Sequence, residues 1–298
     1  MSWSAPIDLY CERTDPEFWS EPVNAFTNIA FLIAAALALR HWLRAGGRDY
    51  GALALIVVTA AIGLGSFAFH TLATRGAVLL DIIPIALFIY GYLLLALRRF
   101  LGLSGLPALA WLVGFVVVAT AVPRLLPADF LNGSSGYLPA LGALFVVAAL
   151  ALRRREPAAR ALFIAGAILA VSIAFRSIDL LICPAFPLGT HFLWHVLNAL
   201  VLYVLLTAAI DRARVALSLP WRAGEGGDPR LGPGEPGGVL TTRTERGDST
   251  PPDPPSLRSG GPPSPFRGGI LLKQQACRLW RRCSAPPPCS SSPRSTRP

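Results

Sequence analysis

Three histidines stand in otherwise apolar sequence. His70 closes the run Gly65-Ser66-Phe67-Ala68-Phe69-His70, and His191 and His195 open the run Thr190-His191-Phe192-Leu193-Trp194-His195. On a helix, the i, i+4 spacing puts His191 and His195 on one face. Two imidazoles so placed can hold one metal ion, as in helical zinc sites. A third histidine and a water would complete a tetrahedral zinc site with an open position. Ser66 lies four residues before His70, on the same face, and Asp81 follows eleven residues later. Asp81 could act as general base, and Ser66 could donate to a developing oxyanion. The plainer account of an intramembrane histidine is a hydrogen bond between helices. Three His, a Ser and an Asp at one depth favour the metal reading over it. His41, beside Arg40 and Trp42, is assigned no role.

A second polar group lies near the N-terminus. Asp8, Glu12, Asp15, Glu17 and Glu21 are followed by Asn24 and Asn28. Closely spaced carboxylates and amide oxygens suit a hard cation such as Ca²⁺. An acidic segment is equally what a membrane protein places opposite its basic loops, and both readings stand at this point. Arg176 and Asp179, at i, i+3, are expected to pair. Cys11 and Cys183 both fall on the expected non-cytoplasmic, oxidising side, where disulfides persist, and are expected to be bonded. Cys277, Cys283 and Cys289 do not follow a zinc spacing.

The elements that must position these groups follow from hydropathy. The chain has 298 residues, is 53% hydrophobic and only 15% charged. A soluble domain is nearer ~25% charged. Seven apolar stretches run at about 24–43, 51–70, 77–97, 106–126, 137–152, 160–182 and 190–210. Most approach the ~20 residues that cross a ~30 Å hydrocarbon core as a helix, and the fifth is short. The expected fold is all-α, a bundle of seven transmembrane helices spanning 24–214, after an acidic segment at 1–23. No cleavable leader is read in the first 21 residues, which are acidic.

The net charge of +10 raises nucleic acid as a partner, and the placement of the charges removes it. Residues 1–214 carry +4, and the Pro/Gly/Ser-rich 215–298, expected to be a disordered tail, carry +6. Eleven Arg fall in loops on one side of the spans: Arg40, Arg44, Arg48, Arg98, Arg99, Arg153, Arg154, Arg155, Arg160, Arg212 and Arg214. Only Arg13, Arg75 and Arg124 fall on the other. The expected orientation is N-terminus outside and C-terminus cytoplasmic, with His70, Asp81, His191 and His195 in the outer half. One Lys against 26 Arg fits a GC-rich bacterial genome. The expected location is therefore an inner membrane, with the site in its periplasmic half.

These residues resemble the alkaline ceramidase family, within the wider group of seven-helix membrane hydrolases that includes the adiponectin receptors. Four blocks carry the resemblance: Asp8-Leu9-Tyr10-Cys11-Glu12-Arg13 with Glu21 and Asn24; Gly65-Ser66-x-x-x-His70 with Leu80-Asp81-x-x-Pro84; Ile178-Asp179-x-x-x-Cys183; and His191-x-x-Trp194-His195. They span residues 8–210. The resemblance implies zinc-dependent hydrolysis of the amide bond of ceramide-like membrane lipids, releasing a fatty acid and a sphingoid base. It implies zinc on His70, His191 and His195, assisted by Ser66 and Asp81. It supports the Cys11–Cys183 bridge. It also implies a calcium site, for which Asp8, Glu12 and Glu21 are the candidates. There the sequence departs from the eukaryotic pattern: Leu9 stands where an Asp is expected, and Thr14 where an Asn is expected. Two other readings are weighed: a hydrolase of another membrane lipid, and a non-catalytic seven-helix receptor or transport protein with structural zinc.

Overall fold

A computed structural model describes residues 2–127 and 129–218. The expectation of a disordered tail at 215–298, with its three cysteines, lies outside the described residues, apart from the helical backbone up to Ser218. Eight α-helices and one 3₁₀ turn follow in order: α1 (Pro22–Thr27), α2 (Ile29–Arg44), α3 (Tyr50–Leu72), α4 (Arg75–Arg99), α5 (Gly105–Leu125), the 3₁₀ turn Ser134–Tyr137, α6 (Leu138–Arg153), α7 (Ala159–Ile182) and α8 (His191–Ser218). Among the described residues there is no strand, only an isolated bridge between Pro6 and Thr74.

Among the described residues, seven helices are long and apolar enough to cross a membrane. They match the seven stretches read from the sequence. The first is built from α1 and α2, and the short fifth is lengthened by the 3₁₀ turn to Ser134–Arg153. Large apolar side chains such as Leu64, Leu87, Trp111, Val117 and Leu181 are exposed on the bundle surface. In a bilayer this is the lipid-facing side, so burial does not distinguish the inner face of a span by polarity. The helix contacts rely on small residues instead. Ala34 and Ala38 of α2, Ala148 and Ala151 of α6, and Ala208 and Ala209 of α8 are all buried. α8 packs against α2, α3, α4 and α7, and α5 packs against its neighbours α4, α6 and the 3₁₀ turn.

Two features fix the end of the bundle that matters. Thr74 caps α4, accepting from the Ala77 amide at 3.2 Å, so only two residues separate the end of α3 from the start of α4. At the opposite end, Asp49 caps α3 and takes both Arg99 terminal nitrogens at 2.6 and 2.9 Å, and Arg99 also donates to the Ala209 carbonyl at 2.7 Å. That bidentate pair ties α3, α4 and α8 together.

Candidate functional site

His70 sits in the last turn of α3, and His191 and His195 in the first two turns of α8. Antiparallel packing brings these helix ends together. One nitrogen of each ring lies within 4.8 Å of the other two, and each residue is only 1% exposed. Among the described residues this is the one group of three or more His, Cys, Asp or Glu side chains able to hold a metal.

Hydrogen bonds set the state of the rings. His70 Nδ1 donates to Glu21 Oε2 at 2.6 Å. Thr27 Oγ1 donates to the Val23 and Asn24 carbonyls, so it accepts from His195 Nδ1 at 2.9 Å. Both Nδ1 atoms are therefore engaged as donors, and Nε2 is the nitrogen each ring has left for another partner. His70 Nε2, His195 Nε2 and His191 Nδ1 are buried without a hydrogen-bond partner. Three orphaned nitrogens in so small a space are costly unless something binds them. A borderline-soft cation with imidazole ligands fits.

His191 is held from two sides. Its ring stacks on Tyr10 with centroids 3.6 Å apart, and its amide donates to Asp179 Oδ1 at 2.8 Å. The same oxygen accepts from the Thr190 amide at 2.6 Å, while Oδ2 accepts from the Cys11 amide at 2.9 Å. Asp179 is fully buried and caps the start of α8, where a carboxylate also opposes the positive end of the helix dipole. The expected Arg176–Asp179 pair is thus replaced. Arg176 turns the other way, donating to Ser134 Oγ at 2.7 Å and to the Tyr10 hydroxyl at 3.3 Å. It lies 5.6–5.7 Å from the ring centres of Tyr10, Tyr137 and Trp194. Burial pushes the Tyr10 phenol above its ordinary range, against the pull of the Arg176 guanidinium. Cys11 and Cys183 are bonded, as expected. Gly189, at φ +63°, leads into α8, and a Cβ there would meet Asp179 Oδ1 at 2.2 Å and the Cys11 Cβ at 2.6 Å.

Ser66 and Asp81 are brought against each other by a backbone contact. Pro84 lies inside α4 and offers no N–H to the carbonyl four residues earlier, that of Leu80. That carbonyl lies over Gly65 of α3, where a Cβ would stand 1.9 Å from the Leu80 oxygen. Only glycine permits the approach. The next residue on each helix is then Ser66 and Asp81, and the two side chains interact. Ser66 is buried, and Asp81 Oδ1 is sealed from solvent without a hydrogen-bond donor.

The acids expected to bind calcium do other things. Asp8 is exposed. Glu12 accepts from the Val23 and Asn24 amides at 2.7 and 2.8 Å, capping α1. Its burial raises its carboxyl above the ordinary range, and those two amides pull it back down. Glu21 takes Arg13 on Oε1, and His70 and Asn24 on Oε2. Burial alone would raise the Glu21 carboxyl, but the hydrogen bonds and charges of His70 and Arg13 hold it below the ordinary range. Among the described residues these three acids do not converge into an oxygen-ligand group. His41, assigned no role, pairs with Asp211 at 2.7 Å at the other end of the bundle.

From Trp194 to Leu205, α8 borders an apolar cavity of about 110 Å³, also lined by Phe31, Ile62, Phe88 and Tyr92. Eleven residues of helix make it roughly 16 Å long on that side. Asn198 lines it with a buried, unpartnered Nδ2.

A comparison with protein families matches residues 6–216 to the family described as Ceramidase. The chain belongs to the ceramidase family. The match takes in all seven spans and every site residue above. Among curated proteins, none matches this chain. The histidine cluster and the disulfide were legible in the sequence, which also singles out Ser66 and Asp81. Thr27, Arg13, Tyr10 and Asn198 were not singled out. The Glu21-Pro22-x-Asn24-x-x-Thr27-Asn28 run, polar on successive turns of an otherwise apolar start, was the available signal for Thr27.

Proposed function

We propose that the protein is a zinc-dependent amide hydrolase of ceramide-like N-acyl lipids, embedded in the membrane as a multi-pass protein. The observation that carries this reading is the set of three orphaned imidazole nitrogens beside Ser66 and Asp81. His70, His191 and His195 would hold the ion. Zinc there supplies Lewis acidity toward an amide carbonyl and acidifies a water.

The chain's own residues do the rest. Asp81, whose Oδ1 is sealed from solvent, takes the proton from the attacking water and delivers it to the leaving amine. Ser66 donates to the carbonyl oxygen as charge develops there, a contact whose loss costs ~10²–10³ in rate. The cavity along α8, with Trp194 among its lining residues, receives the acyl chain. Water is held off by the bundle on one side and by the N-terminal segment, through Tyr10 and Arg13, on the other. Eleven loop Arg against three support a cytoplasmic C-terminus and a periplasmic site. Among the described residues, no fourth His, Cys or carboxylate joins the three histidines, which favours an open catalytic site over a closed structural one.

The deciding experiment is lipid mass spectrometry of purified protein incubated with a panel of N-acyl and O-acyl lipids, with and without chelator. Chelator-sensitive release of fatty acid from ceramides is expected. Release from esters alone, or from none of the panel, overturns the assignment. His195→Ala and Asp81→Ala should each abolish release in protein that still inserts.

A further inference from the structure

The resemblance to the alkaline ceramidases implies calcium in the N-terminal block, and this chain does not fit it. The reason is Arg13. Arg13 is buried, 6% exposed, against a Glu21 that is 2% exposed. Nε donates to Glu21 Oε1. Nη1 donates to the Asp15 carbonyl at 3.0 Å and the Glu17 carbonyl at 3.3 Å, and Nη2 donates to the His70 carbonyl at 2.9 Å. One carboxylate and three backbone carbonyls are the oxygen set that a hard cation gathers. Here they are gathered by a side chain. A second cation at that place would meet a fixed positive charge and oxygens already bonded. The two positions at which the sequence departs from the eukaryotic pattern, Leu9 and Thr14, bring no carboxylate or amide oxygen of their own.

We propose that Arg13 is a built-in cation that stands in for bound calcium and positions the zinc ligand His70. It grips His70 twice, by its carbonyl directly and by its ring through Glu21. A guanidinium suits this task because its rigid fork reaches several oxygens at once and never loses its charge. The N-terminal segment is thereby closed without a metal, and Arg13 is a positioning residue. The proposal rests on the zinc reading of the three histidines.

The test uses the full chain in detergent, with two readouts that need no lipid substrate. The first is thermal unfolding of the wild type in millimolar calcium and in EGTA. The midpoint is expected to be the same in both, and a calcium-dependent rise overturns the proposal. The second is zinc affinity by competition with a chromophoric chelator. Arg13→Gln is expected to weaken zinc by about 10–100-fold, the usual effect of losing a group that orients a metal ligand. Arg13→Lys, which keeps the charge and loses the fork, should recover part of that affinity. Wild-type zinc affinity in both variants overturns the positioning role. If Arg13→Gln does not fold, Arg13→Lys and the calcium comparison still decide. A protein that passes both tests but cleaves no N-acyl lipid refutes the proposed activity and leaves Arg13's role standing.

Discussion

The Glu21 carboxylate stands 2.6 Å from His70 Nδ1, and that contact leaves the far nitrogen of the ring, buried and without a partner, as the one able to bind a metal. Carboxylate partners of this kind fix the tautomer and raise the basicity of a metal-binding imidazole. Glu21→Gln keeps the shape and removes the charge. It is expected to weaken zinc by about 10–100-fold, read by competition with a chelator, with the helical signal in circular dichroism unchanged. Wild-type zinc affinity would show that His70 is held by packing alone.

Gly65 gives a prediction that separates positioning from metal binding. A methyl group at residue 65 would stand 1.9 Å from the Leu80 carbonyl, so α3 and α4 must move apart. Asp81 shifts with α4, while His191 and His195 lie on α8. Misplacement by about 1 Å costs on the order of 10² in rate. Gly65→Ala should therefore lose about 10²-fold or more in kcat while retaining zinc, measured by metal analysis and turnover on the same preparation. Loss of zinc in step with activity would argue against a separate role for Asp81.

Asp179 organises the start of α8 through two amides, Thr190 and His191. Asp179→Ala removes a buried cap and leaves those donors unsatisfied. A lost cap costs about 0.5–2 kcal/mol, and each unsatisfied buried donor about 1–3 kcal/mol. The midpoint of thermal unfolding should fall, and zinc should dissociate faster because His191 is the first residue of the helix. An unchanged midpoint would contradict the cap.

The Cys11–Cys183 bond closes a loop with a sequence separation of 172. Cys183→Ser should lower stability by about 2–5 kcal/mol, the usual cost of removing a native disulfide. Proteolysis should then reach the first 21 residues before any span. Equal protease resistance in the variant and the wild type would show that the Asp179 contact to Cys11 suffices.

The spans were legible because lipid imposes one rule, that a helix of about 20 apolar residues must satisfy its own backbone. The histidines were legible for the same reason, since imidazoles are conspicuous in such helices. Partner choice was not legible. Helical spacing points Arg176 at Asp179, yet the unsatisfied amides at the start of α8 claim the carboxylate, and Arg176 goes to Ser134 and Tyr10. Spacing among acids suggested a cation site, yet Arg13, eight residues before Glu21, folds back under it. Both outcomes depend on long-range contacts, and no local pattern encodes them. The Gly65–Leu80 approach is an intermediate case. Pro84 marks the unpaired carbonyl, but which helix it meets is a tertiary fact.

The contact between Thr27 and His195 joins residues 168 positions apart, and the disulfide joins residues farther apart still. At ~5–20 residues per second of synthesis, the first span waits in the membrane for many seconds before its partner exists. Until α8 is made, Glu21 and Thr27 have at most one of their histidines, and no metal site can close. Under the proposed function, the nascent chain is therefore chemically silent toward the lipids around it, and it becomes competent only when its first and last spans meet.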